Sequence, residues 1–278
     1  MKAALIQITS SDDPMENAEM VSSAIREAAG NGAGFVLTPE VSNIVSMDRD
    51  HQSEILCLEE NDPFLAHMRR EAKASGVWLS LGSLALKTGD QDGRFANRSF
   101  VIDPSGEIQA RYDKIHMFDA EVSDSETYRE SSGYRPGETA TICRTPFGVL
   151  GLTICYDLRF PYLYRALAQA GAEVLLVPAA FSPQTGKAHW ETLLRARAIE
   201  TGCYVLASAQ TGTHRTGKGK KRSTYGHTMA ISPWGEVLAD IGEACGTLYL
   251  DLDLADVANA RKRIPSLHHD RSFKFLND

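Results

Sequence analysis

The run Gly148-Val149-Leu150-Gly151-Leu152-Thr153-Ile154-Cys155-Tyr156-Asp157-Leu158-Arg159-Phe160-Pro161 reads as a strand that turns a corner into a helix. Its apolar half, Gly148 to Ile154, predicts a buried strand. From Arg159 to Ala170, the residues Phe160, Leu163, Leu167 and Ala170 form a single apolar stripe at helical spacing, and Gly171 supplies the stop. A strand (Glu173 to Pro178), a helix (Lys187 to Glu200) and another strand (Cys203 to Ala209) follow directly. This alternation is the rhythm of a parallel sheet covered by helices.

The same rhythm occupies the amino-terminal third, where Lys2 to Thr9 and Gly34 to Pro39 predict strands and Pro14 to Asn31 and Asp62 to Ser75 predict helices. Between the two halves, Val77 to Leu86, Arg98 to Asp103, Glu107 to Tyr112 and Thr141 to Thr145 predict strands joined by turns such as Asp103-Pro104-Ser105-Gly106. Beyond Cys203, strands are expected at Thr224 to Ser232, Val237 to Ile241 and Thr247 to Leu252, with a hairpin turn at Pro233-Trp234-Gly235-Glu236 and a last helix from Leu254 to Lys262. No linker, repeat or low-complexity tract interrupts the chain, so residues 1–278 are expected to form one α/β domain. Its economical packing is a four-layer α-β-β-α sandwich.

The chain has 278 residues, 43% hydrophobic and 23% charged, far from the composition of disorder. Its 29 basic and 36 acidic side chains give a net charge of −7, which argues against bulk attraction to nucleic acid or anionic lipid. No window approaches the roughly 18 uninterrupted apolar residues of a membrane span. The start reads as a strand, not a signal peptide, so a cytoplasmic location is expected. Five scattered cysteines (Cys57, Cys143, Cys155, Cys203, Cys245) without C-x-x-C disfavour a disulfide framework or zinc knuckle.

Cys155 stands where a strand-to-helix corner exposes a nucleophile to backbone N–H groups, donors that favour thiolate and can hold an oxyanion. A buried, inert thiol is the other reading of that position, and the one that fits Cys143 and Cys203. Glu40 ends the strand from Gly34, and Lys114, in Tyr112-Asp113-Lys114-Ile115-His116, ends another. A lone glutamate or lysine there is normally a solvated charge. Together the three supply nucleophile, proton shuttle and oxyanion cation, the kit for acyl transfer from an amide.

Thr38-Pro39-Glu40, the Lys114 segment and Gly151 to Pro161 resemble, in order and spacing, the three signature blocks of the nitrilase (carbon-nitrogen hydrolase) superfamily. The likeness continues through Gly186-Lys187-Ala188-His189-Trp190, Arg195 to Glu200 and Tyr225-Gly226-His227-Thr228-Met229. It implies Glu40 as general base, Lys114 as oxyanion stabiliser, Cys155 as nucleophile, and a sandwich that dimerises through an α face. It also implies a second active-site glutamate, which matches Glu130 better than Glu126. The chain is most similar to the Nit branch of amidases, which act on ω-amides of 2-oxo acids: α-ketoglutaramate, or that group with a cysteinylglycine tail in deaminated glutathione. The branch's substrate contacts map to Arg159, Phe181 and Thr185, with Tyr156 beside the nucleophile. Arg159 would clamp the 2-oxo-acid carboxylate.

The basic stretch His214 to Arg222 lacks the interleaved aromatics of a nucleic-acid patch, and Gly219 stands where a phosphate-binding loop needs Ser or Thr. Since the family places Tyr225-Gly226-His227 near the pocket, this loop would attract the second carboxylate of a peptide-like substrate. That favours deaminated glutathione over α-ketoglutaramate. His189-Trp190-Glu191 has no P-C-x-x-C partner, and no metal or cofactor is implied. Rival readings are a carbamoylase or aliphatic amidase of the same superfamily and, from another class, a non-catalytic dimeric scaffold.

Overall fold

The computed structural model describes residues 1–123, 126–217 and 221–276. The chain opens with β1 (Lys2–Gln7), α1 (Pro14–Gly30), β2 (Phe35–Leu37), α2 (Arg49–Ile55), α3 (Pro63–Ser75), β3 (Trp78–Lys87), β4 (Phe95–Ile102) and β5 (Ile108–Asp113). A small hairpin, β6 (Asp119–Ser123) and β7 (Glu126–Arg129), precedes β8 (Thr141–Thr145), β9 (Gly148–Leu152), α4 (Pro161–Gln169), β10 (Val174–Leu176), α5 (Pro183–Thr201) and β11 (Tyr204–Ala207). Then come β12 (Thr211–Thr213), β13 (Ser223–Tyr225), β14 (Met229–Ile231), β15 (Val237–Asp240), β16 (Gly246–Asp251) and α6 (Ala255–Arg263).

Two six-stranded sheets result, ordered β16-β1-β2-β3-β4-β5 and β15-β14-β11-β10-β9-β8. The period-two alternation of β1 divides its side chains between two cores. Ala4 and Ile6 pack with Val21 and Ile25 of α1 and Phe64 and Met68 of α3, whereas Ala3 and Leu5 face the other sheet and share a core with Leu152, Leu175 and Val205. Leu163 and Leu167 of α4 and Leu194 and Ala198 of α5 cover the outside of the second sheet. The α-β-β-α layering expected from the sequence is the architecture of the chain. Each fully buried Leu or Phe contributes roughly 1.5–3 kcal/mol, so the faces of the sheets fix the register of the strands. Among the described residues no helix is long and apolar enough to cross a membrane.

Three helices start on the same local device, an oxygen-bearing cap followed by proline. Asp13, Asp62 and Ser182 each accept an N–H of the first turn, with Pro14, Pro63 and Pro183 as the first helical residues. That start moves the helix expected at Lys187 back to Pro183. The helix expected from Arg159 begins instead at Pro161, because Cys155 to Arg159 form a separate 3₁₀ turn. The single strand expected from Thr224 to Ser232 is two, β13 and β14, lying in different sheets. Gly226 and His227 take positive φ values of 76° and 59°, and the His227 N–H bonds to the Gly242 carbonyl at 2.8 Å, which breaks the extended run.

Gly82, where β3 shifts register against β4, fixes how closely the sheets approach at the end that carries Glu40. A Cβ there would lie 2.0 Å from the Thr38 carbonyl oxygen and 2.5 Å from Pro178 Cβ, so the two sheets cannot both keep their places. Gly82→Ala is therefore expected to cost about 3 kcal/mol through overpacking, read as a Tm lowered by roughly 5–10 °C. An unchanged Tm would show that the sheets separate at little cost.

Candidate active site

The side chains with chemistry gather at the carboxyl ends of strands, where α/β sheets build their sites. Glu40 lies just past β2, Lys114 follows β5, Cys155 follows β9, and Ala180 lies past β10. Two of the turns occupy the left-handed region, with φ 47° at Val41 and 51° at Cys155. A left-handed non-glycine residue costs on the order of 1–2 kcal/mol and persists only where its surroundings hold it. Here the Val41 N–H donates to Ser83 Oγ at 2.8 Å, and the Cys155 N–H donates to the Pro178 carbonyl at 2.9 Å.

The Lys114 ammonium, 2% exposed, donates at 2.9 Å to Glu40 Oε1 and to both carboxylate oxygens of Glu130. Glu40 also accepts from Asn97 Nδ2 through Oε1 and from the Ala180 N–H through Oε2, each at 2.9 Å. Glu130 Oε2 accepts the Phe118 N–H at 2.6 Å. Burial pushes the Glu40 pKa up, but the charge and hydrogen bond of Lys114 outweigh it and hold the carboxyl below its usual range. For Lys114, burial favours the neutral amine, yet Glu130 and Glu40 raise its pKa well above the ordinary lysine value. Both ions are thus charged at neutral pH.

Cys155 behaves differently from the expectation that its corner favours thiolate. Burial, reinforced by the neighbouring Glu40 carboxylate, raises its pKa well above the ordinary value, and Lys114 and the Ala180 N–H offset only part of that. The resting sulfur is a protonated thiol beside an ionised carboxylate, an arrangement that requires the base to take a proton as the sulfur attacks.

A fully buried carboxylate, Asp157, ties the lysine strand to the cysteine turn. It accepts from Tyr112 OH at 2.7 Å, from the His116 N–H at 3.1 Å and from the Ile154 N–H at 2.8 Å, with His116 Nδ1 at 2.7 Å. Four contacts to one carboxylate hold Lys114 and Cys155 in fixed relation.

Above these groups opens a cavity of about 180 Å³. It brings together all eight residues singled out in the sequence: Glu40, Lys114, Cys155 and Glu130, with Tyr156, Arg159, Phe181 and Thr185 on its walls. The Arg159 guanidinium carbon lies 5.8 Å from the Phe181 ring centroid and 5.9 Å from that of Tyr156, with Nη2 3.2 Å from His189 Nδ1. Glu126, the other candidate glutamate, is bonded to Tyr128 OH. Within the basic loop, Lys218, Gly219 and Lys220 lie outside the described residues, but Arg222 lines the cavity. Tyr225 and His227 do not line it: they border a separate hollow with His189 and Asp240, although the Tyr225 N–H bonds to the Phe181 carbonyl at 3.0 Å. Asn97 and the Ala180 N–H, which hold Glu40, were not apparent from the sequence. Asn97 opens the polar run Asn97-Arg98-Ser99 of β4 and carries no distinguishing signal in the sequence.

Comparison with known proteins agrees with this geometry. Residues 2–262 match the carbon-nitrogen hydrolase family. A deaminated glutathione amidase of Yersinia enterocolitica is 40% identical over 272 residues, 96% of this chain and 92% of that protein. One from Homo sapiens is 39% identical over 273 residues, 96% of this chain and 81% of its own. The crystal structure of the NitFhit protein of C. elegans superposes with a TM-score of 0.89 at 36% identity, covering 97% of this chain and 65% of that one. A match over nearly the whole length, with a buried glutamate, lysine and cysteine gathered under one cavity, makes this chain a member of the carbon-nitrogen hydrolase family, a hydrolase of carbon-nitrogen bonds other than peptide bonds.

Proposed function

We propose that the cavity hydrolyses the ω-amide of a 2-oxo acid to the free acid and the amine, with deaminated glutathione as the substrate, so that the leaving amine is cysteinylglycine; an unsubstituted ω-amide such as α-ketoglutaramate would release ammonia. The observation that carries the reading is the Lys114 ammonium shared by Glu40 and Glu130 under a cavity that also holds Cys155 and Arg159. The names of the relatives agree with it. Contributions from both sheets support residues 1–278 as one catalytic domain, and a reducing cytoplasm would keep the thiol free.

In this mechanism Glu40 takes the thiol proton while sulfur forms a bond to the amide carbon. The carbonyl oxygen gains the negative charge and is stabilised by Lys114 and by the Tyr156 N–H, which has no other partner among the described residues. The Cys155 N–H is already committed to Pro178. Glu40 then returns the proton to the leaving nitrogen, the carbon-nitrogen bond breaks, and the amine, cysteinylglycine from deaminated glutathione or ammonia from α-ketoglutaramate, departs from a thioester. Water attacks the thioester as Glu40 accepts its proton; the carbon-sulfur bond breaks and the thiol is restored. Glu130 keeps Lys114 placed and charged throughout.

A single assay of the released amine, cysteinylglycine from deaminated glutathione and ammonia from α-ketoglutaramate or an N-carbamoyl amino acid, tests the substrate class. Its kcat/KM for deaminated glutathione is expected to exceed that for α-ketoglutaramate, and that for an N-carbamoyl amino acid, by at least about tenfold. A carbamoyl substrate turned over fastest would overturn the reading.

A further inference from the structure

Four arginines line the cavity, and they are not equivalent. Arg129 is paired with Glu121 at 2.9 Å. The Arg49 guanidinium lies over the Phe95 ring, 4.7 Å from its centroid, and reaches Gln52. Arg159 and Arg222, like Arg49, have no carboxylate partner among the described residues, but they are half-buried whereas Arg49 is exposed. Arg222 makes one hydrogen bond there, from Nη2 to the Ala180 carbonyl at 2.8 Å, which leaves its other donors without a protein acceptor among those residues. The two cations come from different parts of the chain, one from the turn after Cys155 and one from the end of the basic loop. They meet consecutive residues: Arg222 holds the Ala180 carbonyl, and Arg159 lies by the Phe181 ring.

Two half-buried guanidinium groups without protein counter-ions in one cavity call for two anionic groups on the ligand. We infer that Arg222 is the subsite for a second, distal carboxylate of the amide substrate, while Arg159 holds the carboxylate beside the 2-oxo group. The inference rests on the proposed activity and adds to it how the substrate is selected. A monocarboxylate amide leaves one guanidinium desolvated and unpaired, whereas a dicarboxylate pairs both, so the discrimination comes from binding. The alternative role for Arg222 is counter-charge to Glu40 and Glu130, which together outnumber Lys114 by one. That role would act equally on every substrate.

Calorimetric binding to the Cys155→Ala protein separates the two, since it does not depend on turnover. Introducing Arg222→Gln is expected to weaken deaminated glutathione roughly 10- to 100-fold and to lower its preference over α-ketoglutaramate by nearly that factor, with Arg222→Lys recovering part of the loss. Arg159→Gln should weaken both ligands. An equal loss for both amides in Arg222→Gln, or an unchanged preference, would overturn the inference. If the unsubstituted protein hydrolyses neither amide, the proposed activity fails, and binding still decides the role of Arg222.

Discussion

Cys155→Ala is expected to reduce hydrolysis of an ω-amide of a 2-oxo acid by on the order of 10⁴-fold or more, to background, while the protein stays folded. The loss is large because Cys155 is the one thiol lining the cavity among the described residues, so no second thiol can form the thioester. Stability should hardly change. Alanine carries the same Cβ as cysteine, so the left-handed backbone at φ 51° has the same cost in both, and the Cys155 N–H to Pro178 bond does not involve the side chain. Removing the sulfur also removes a thiol that its surroundings hold protonated, not an ion on which the neighbours depend. The measurements are release of the free 2-oxo acid and a thermal melt on the same preparation. Turnover near that of the unsubstituted chain, with an unchanged melt, would dismiss Cys155 as nucleophile.

The residues legible in the sequence were those whose chemistry coincides with a local pattern. Glu40 and Cys155 each follow an apolar run and Lys114 follows an alternating one, Ile108 to Asp113, and pattern alone marks such runs as strands. Glu130 was legible only through family resemblance, because the hairpin of β6 and β7 that precedes it has a polar, aperiodic sequence. Helix α2 was missed for the same reason: Arg49 to Ile55 carries no apolar stripe. The break after Tyr225 could not be read locally, since it depends on partners distant in sequence, among them the Trp190 Nε1 donor 2.9 Å from the His227 carbonyl. The corner shows the donors around Cys155 but not the depth of burial or the adjacent carboxylate, and those hold the thiol protonated.

Lys114→Met should both abolish activity and lower stability, and the pH dependence of the stability loss identifies the cause. The substitution removes the cation of the oxyanion site, an expected loss of roughly 10³-fold or more. It also leaves Glu40 and Glu130, two carboxylates that shared one ammonium at 2.9 Å, without that partner. Breaking a buried ion pair typically costs about 3–5 kcal/mol, here a Tm lower by roughly 5–15 °C. In the unsubstituted chain the Glu40 pKa lies below its unfolded value, so its contribution is present above the unfolded pKa and is lost only as pH falls through the lower folded one. The raised Lys114 pKa contributes stability that is fully present below the unfolded lysine value, about 10.4, and is lost only as pH rises through the folded one. Both contributions therefore persist through neutral pH. Without Lys114, burial dominates at Glu40 and its folded pKa rises above the unfolded value, so the sign reverses: protonation stabilises the folded state, and that stability drains away as pH rises. The Tm deficit of Lys114→Met should accordingly be smaller at pH ~5.5 than at pH ~8. A deficit that is the same at both pH values would mean that the lysine contributes through packing of its hydrocarbon stem and not through its charge.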